Sequence, residues 1–421
     1  MSTAPQNASS SGLLRRINTV RVLEFAWAQD VFTATEAMDA TGLTRSTVIS
    51  RCAELIELGW MHEVERAPVR APERASERVP ERAPVPAGKG RPARLYQLRA
   101  DAGYVVGVDA GQHRVLATVA DLRGAEVGRR EHPIDLEHDN AADRLAVTDA
   151  AISEALGSAG VAPARVLAIA VGVPAQTDVD GASPPGQNEF WARMNPGFAA
   201  HFRERGWHTT VENDANLAAH AERALGAGRD ARSFAALLSG ERFGAGIVVD
   251  GALVRGSYGG AGEMRLLDYV VGVGSPHGIG FLARAWGREA HDSGALPPDS
   301  ALRTLAVGAI DAPAVFAAAA DGDAGAIAVV DRLADRLARV CAVIDGMLDV
   351  DRIVVAGGVA PVVGDLLRRT AAVLEGMVHP PAPELVASSF GADAVIVGAS
   401  TLALEHVRTN ALDYALGSGG A

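Results

Sequence analysis

Residues 104–124 read YVVGVDAGQHRVLATVADLRG, and their pattern decides the fold class. A short apolar run rich in valine (104–108) meets a small-residue turn at Asp109-Ala110-Gly111. A second run then alternates from Arg114 to Leu122 and stops at Gly124. Apolar, β-branched runs of this length, closed by glycine, are the pattern of buried strands. The same texture returns at 166–174 (VLAIAVGVP), 235–240 (AALLSG) and 246–254 (GIVVDGALV). In the last, Asp250-Gly251 is a two-residue hairpin signal. Helical periodicity over Ala142–Leu156, Leu217–Leu225 and Ala324–Ile344 separates these runs. Strands interleaved with helices predict layered α/β architecture.

Upstream, residues 33–59 read TATEAMDATGLTRSTVISRCAELIELG. Ile17, Val20, Leu23 and Trp27 recur at helical steps and predict an amphipathic first helix. Thr33 with Glu36 is a capping box that opens a second helix through Ala40. Gly42 supplies a tight turn, Leu43 its buried residue, and Thr44 the N-cap of a third helix reaching about Leu58. This is the helix-turn-helix order. On the third helix Val48, Cys52, Leu55 and Ile56 form the inward stripe. Arg45, Ser46, Thr47, Ser50 and Arg51 then face outward near the half that enters a DNA major groove, where arginine can pair with guanine or phosphate.

The runs 60–64 and 95–98 fit two wing strands. The join between them, about residues 66–90, repeats APERASERVPERAP, a Pro/Arg/Glu composition with almost nothing apolar to bury, and is expected to be disordered. Around it GKGRPAR, with Arg91, suits phosphate or minor-groove contact.

Composition bounds the rest. The 421 residues are 48% hydrophobic, enough for two or three packed domains. Residues 1–100 hold fourteen Lys and Arg against eleven Asp and Glu, a balance of +3, so the remainder carries −15 of the total −12. A basic front on an acidic body fits a nucleic-acid reader joined to a domain that does not bind DNA. The first residues lack the order of a secretory leader, and no apolar window is long enough for a membrane span, so the expectation is cytoplasmic with no membrane partner. Two cysteines, Cys52 and Cys341, match no ligand spacing and are expected in the core.

Several segments together resemble the ROK family of repressors, open reading frames and sugar kinases: ENDAN (212–216), GGAGE (259–263), GIVVDGALVRG (246–256), IVVAGGVA (353–360) and GRP (90–92). The resemblance spans essentially the whole chain. It implies an actin-like, two-lobed α/β body, with lobe 1 at 101–217 plus about 399–421 and lobe 2 at 218–398, behind a winged helix-turn-helix domain at 1–100. Asn213 and Asp214 match the pair that grips sugar hydroxyls, with Asp214 at the kinases' catalytic base. Asn188, in NEFW, resembles another sugar-binding asparagine, and Glu263 matches a glutamate that accepts hydroxyl bonds. Convergent carboxylates and amides suit vicinal hydroxyls.

The departures concern phosphate and metal. Where family kinases have Asp-x-Gly-Gly-Thr, residues 109–113 are Asp-Ala-Gly-Gln-His; where they have Gly-Thr-Gly, residues 240–242 are Gly-Glu-Arg. A carboxylate about 4 Å from a phosphate charge costs on the order of 1 kcal/mol in water and about 4 at an effective dielectric near 20. Lost glycines also remove the close backbone approach that phosphate needs. The family's zinc-binding cysteines are replaced by GVGSPHGIG (272–280), where His277 stands without thiolate neighbours. The resulting expectation is a non-enzymatic transcriptional regulator, a repressor of sugar-related genes. It binds an operator in double-stranded DNA and a sugar or sugar-derivative effector, needs no cofactor and no metal, and assembles as a homodimer or homotetramer. Two other readings remain: an active ATP-dependent sugar kinase with an accessory DNA-binding domain, and a regulator controlled by a protein partner.

Overall fold

The computed structural model describes residues 6–64, 93–137, 139–184, 189–414 and 416. The chain divides into two compact units, Met1–Gly103 with Asp121–Arg123 and Val407–Ala421, and Tyr104–Ala120 with Gly124–His406.

The first unit begins with α1 (Gln6–Ala28), β1 (Phe32–Thr33), α2 (Ala34–Thr41) and α3 (Arg45–Glu57). Strands β2 (Met61–Val64) and β3 (Leu95–Leu98) pair antiparallel, and β1 adds to the other edge of β3, giving the order β1-β3-β2. This is a winged-helix arrangement. The Thr33/Glu36 capping box forms in full, and Gly42 ends α2 in the left-handed region at φ 71°. Thr44 caps α3 by accepting the amide of Thr47. Val48, Cys52 and Leu55 are fully buried, and burial pushes the Cys52 thiol up to about 12. The inward face of α1 differs from the expected one: Thr19, Val22, Leu23 and Ala26 are buried, whereas Ile17 is 40% exposed. Thr19 Oγ1, which bonds the Arg15 carbonyl at 2.9 Å, lies 3.2 Å from Glu54 Oε2 on α3 and so faces that helix. Leu43 is likewise only half-buried. The C-terminal residues join this unit through an ion pair of Arg16 with Asp413 and the Arg408 guanidinium over the Trp27 ring.

The second unit contains two five-stranded sheets. The first uses β4 (Tyr104–Ala110), β5 (Arg114–Asp121), β6 (Glu126–Pro133), β7 (Val166–Val173) and β8 (His208–Asn213), in the order β6-β5-β4-β7-β8. Its crossovers hold α4 (Ala141–Ala159), α5 (Glu189–Met194) and α6 (Phe198–Arg203), and α7 (Asp214–Leu225) leaves the end of β8. The second sheet uses β9 (Phe234–Ser239), β10 (Phe243–Val249), β11 (Ala252–Val254), β12 (Arg352–Ala356) and β13 (Glu384–Ala387), in the order β11-β10-β9-β12-β13. With it go α8 (Ile279–Asp292), α9 (Ala312–Ala320), α10 (Ala324–Leu348) and α11 (Gly364–Leu374), whereas α12 (Ala394–Thr409) lies on the first sheet, with Ser400 Oγ 2.9 Å from Thr118 Oγ1 of β5. Both sheets mix parallel and antiparallel pairs. The predicted hairpin is present, with Asp250 and Gly251 at φ 50° and 76° between paired Val249 and Ala252.

Gly246 shows how tightly β10 lies on α7: a Cβ there would stand 2.2 Å from the Ala215 carbonyl oxygen. That contact fixes the start of α7, and so Asp214, against the second sheet. No single described helix is long and apolar enough to cross a membrane.

Candidate ligand cleft and DNA-reading face

Within the second unit a cleft of about 1150 Å³ opens, and Asn213, Asp214 and Glu263 all line it. The remaining sugar-site candidate, Asn188, lies outside the described residues, although Phe190 and Trp191 beside it on α5 reach the cleft. Sequence reasoning placed these side chains by motif; their hydrogen bonds separate scaffold from site. Glu212 is buried and accepts from Asn216 Nδ2 (2.9 Å), the Asn213 amide (3.0 Å) and Arg255 Nε (2.7 Å). It is a brace. Asn213 caps α7, its Oδ1 accepting the amides of Ala215 and Asn216, while Nδ2 donates to the Ala175 carbonyl. This commits most of the hydrogen-bonding capacity that was assigned to ligand, because helix ends need their amides satisfied.

Asp214 is different. Oδ1 accepts its own helix's Ala215 amide at 2.8 Å, and Oδ2 has no partner among the described residues. Although part of its surface reaches the cleft, protein surrounds most of the carboxyl, which is pushed up to about 7 by burial and then by the negative charges of Asp109 and Glu263. Asp109, at the end of β4, is raised to about 6 by burial, with Arg114 opposing. Glu263 is raised by its own enclosure, and Arg242 opposes that shift. The Asp214 carboxyl thus feels two neighbouring carboxyl groups, and it and Glu263 line the cleft as hydroxyl acceptors.

Gln176 was not anticipated. It lines the cleft from the loop after β7 and donates to the Tyr258 carbonyl at 2.5 Å. Its position directly after VLAIAVGVP, at the C-terminal end of a parallel strand, is the signal that could have found it.

At the other end of the cleft the 240–242 turn closes on itself. The Gly240 amide donates to the Arg242 carbonyl (3.2 Å), the Gly278 amide to the Glu241 carbonyl (3.0 Å), and the Phe243 amide to the Pro276 carbonyl (2.7 Å). Ile279, first in α8, spends its amide on Ser239 Oγ at 2.9 Å. The Glu241 carboxylate lies 3.3 Å from Arg284 of α8. The amides of Gly240, Phe243, Gly278 and Ile279, at a turn and a helix start where an anion could sit, are thus occupied, and a carboxylate stands beside them.

The loop expected to lack zinc ligands has another organiser. Arg336 of α10 is 4% exposed, donates to the carbonyls of Val273 and Ser275, and is lowered to about 10 by burial. His277 lies on the Phe281 ring with centroids 4.2 Å apart. Among the described residues no group of three or more His, Cys, Asp or Glu is arranged to hold a metal. Cys341 is buried in the core of the second sheet's helices.

In the first unit, Arg45, Ser46 and Ser50 are exposed and Thr47 half-buried at the start of α3. Thr47 Oγ1 is 2.8 Å from the cap Thr44 Oγ1. Arg51 departs from the expected outward set: its side chain is only 12% exposed and holds Glu54 Oε2 at 2.5 Å and Ser50 Oγ at 2.8 Å. A carboxylate one turn along the helix draws the guanidinium inward. Arg45 has no partner among the described residues. Arg91 and the 66–90 insert fall almost wholly within residues 65–92, outside the described residues.

Two mixed sheets flanking an acid-lined cleft define a sugar-kinase-like, actin-related body behind a winged helix. The chain belongs to the ROK family, whose family model matches residues 105–265 and 298–406. A glucokinase of Halalkalibacterium halodurans is 27% identical over 327 residues, 71% of this chain and 94% of that protein. A xylose repressor of Caldicellulosiruptor bescii is 24% identical over 253 residues, 60% of this chain and 58% of that one. Among solved structures, a ROK family transcriptional regulator described as a homolog of the E. coli MLC protein aligns over 96% of this chain and 100% of its own, with TM-score 0.70 and 20% identity. The family thus includes both repressors and sugar kinases.

Proposed function

We propose that this chain is a transcriptional regulator, acting as a repressor of sugar-related genes, whose cleft binds a sugar or sugar derivative without phosphorylating it. Residues 1–100 bind the operator in double-stranded DNA, and the body at 101–421 senses the effector, in the cytoplasm and as a homodimer or homotetramer. The observation that carries this reading is the self-closed turn at Gly240-Glu241-Arg242. A triphosphate needs free amides there, and finds those of Gly240, Phe243, Gly278 and Ile279 spent, with a carboxylate beside them that holds Arg284. The winged helix and the alignment with a regulator over 96% of the chain support the DNA-binding half. Regulation follows when the effector prefers one arrangement of the body over another, since only differential affinity shifts an equilibrium.

A second reading, residual sugar kinase, is favoured by Asp214, a carboxyl held near neutral pH where a general base works best. The two separate in one set of assays. A regulator binds its operator in fluorescence anisotropy, changes that affinity with a sugar, and releases no ADP when ATP and the same sugar are supplied. Steady ADP release with a sugar acceptor would sink the regulator-only reading.

A further inference from the structure

The cleft is too large and too varied for one sugar ring. Its two ends carry different chemistry along the same edge of β10, where Gly244 bridges Glu263 and Arg242 bridges His277. Two positions on a strand place these stations about 7 Å apart, comparable with the width of one sugar ring. The Glu263 end has two carboxyl groups facing the cleft, Glu263 and Asp214. The His277 end has no such pair. It offers an aromatic pair, His277 stacked on Phe281 with centroids 4.2 Å apart and the Arg284 guanidinium 5.4 Å from the Phe281 ring, flanked by the Glu241 carboxylate and by Arg242, whose guanidinium has no hydrogen-bond or ion-pair partner among the described residues. Amides that would hold an anion are consumed at this end, as described above. An apolar face between a carboxylate and a planar guanidinium suits a ring that is apolar on its faces and hydroxylated at its rim. His277, Phe281 and Arg284 all fall in 266–297, the stretch the family model does not match.

We propose that the effector is a disaccharide or an equivalent glycoside, with one ring held at Asp214 and Glu263 and the second seated on Phe281 and His277 between Glu241 and Arg242. This rests on reading the cleft as a saccharide site and names the ligand class that site takes. Arg242 bridges the two stations: it opposes the raised carboxyl of Glu263 from one side and pairs its backbone with His277 on the other. A monosaccharide would leave the aromatic platform wet.

The test is isothermal titration of the full chain with glucose, xylose, galactose and N-acetylglucosamine against cellobiose, xylobiose, maltose and lactose. At least one disaccharide is expected to bind tenfold or more tighter than its own monosaccharide, on the order of what one aromatic contact contributes. In Phe281→Ala and Glu241→Ala that ratio is expected to collapse toward one, whereas Asp214→Ala weakens mono- and disaccharide together. Glu241 is part-exposed, so its variant carries the test if Phe281→Ala fails to fold, as judged by thermal melting. Monosaccharides binding as tightly as every disaccharide, or a ratio unmoved in Glu241→Ala, would overturn the two-ring ligand and leave the saccharide site standing. Binding of none of the eight sugars would overturn both.

Discussion

The amide of Gly240 donates to the carbonyl of Arg242 across 3.2 Å. One hydrogen bond of this kind is worth only about 1 kcal/mol net, but its position matters more than its strength. It withdraws the Gly240 amide from any phosphate, in a turn whose Glu241 carboxylate lies 3.3 Å from Arg284. Millimolar ATP or ADP is therefore expected to leave the melting temperature unchanged. Glu241→Gln removes the repulsion and is expected to improve nucleotide affinity no more than about tenfold, because the group is part-exposed and already paired. Calorimetric titration checks both, and micromolar ATP affinity in the unaltered protein would contradict the reading.

With Asp214 as the proposed acceptor of sugar hydroxyls, effector binding is expected to depend on pH, because the ionised form is the acceptor and the carboxyl is raised to about 7. Sugar affinity should therefore rise between about pH 5 and pH 7, approaching tenfold per unit at the acid end, and flatten above. In Asp214→Asn the profile should lose most of this slope. Stability runs the opposite way. A carboxyl raised above its unfolded value means the folded state binds more protons between about pH 4 and pH 7, so the ligand-free protein loses stability as pH rises through that window. Asp109, raised to about 6, acts in the same direction. Melting temperatures across the window, with and without Asp214→Asn, decide the point.

Arg336 is expected to do by hydrogen bonding what a bound metal would otherwise do for the 272–280 loop. Arg336→Met strands the Val273 and Ser275 carbonyls and should cost about 2 to 4 kcal/mol in urea unfolding. Chelation with EDTA should leave the melting temperature unchanged. A fall of several degrees on chelation would show that a metal holds the loop.

On the proposed DNA-reading face the two arginines of α3 are expected to behave differently. Arg45→Ala should weaken operator binding by about 1 to 3 kcal/mol if it reads a base, and less, with a reduced salt slope, if it holds phosphate. Arg51→Ala should act mainly on folding, by up to about 1 kcal/mol through its contact with Glu54. Anisotropy at several salt concentrations, paired with thermal melts of both variants, separates these effects. An Arg51→Ala protein of normal stability that has lost its operator would reverse the assignment.

Much of this molecule is legible over short stretches of chain. The Thr33/Glu36 box, the Gly42 turn, the Asp250-Gly251 hairpin and the alternating strands each depend on residues within a few positions. Asp214 and Glu263 were recognisable through the ENDAN and GGAGE segments, and they meet in one cleft. The inward face of α1 was misjudged because Thr19 faces Glu54, 35 residues away. Asn213 was read as a ligand group, yet the amide geometry at the start of α7 makes it a cap first.

The sequence by itself determined the class of fold, the caps of α2 and α3 and the chemical character of the cleft, since periodicity, capping and residue type act locally. Tertiary structure alone decided which of those groups stay free. The closing of 240–242 against 276–278, the grip of Arg336 on its loop and the withdrawal of Arg51 to Glu54 are choices between hydrogen-bond partners. A donor satisfied within the protein is no longer offered to a ligand, and which partner satisfies it is settled only when distant segments pack together.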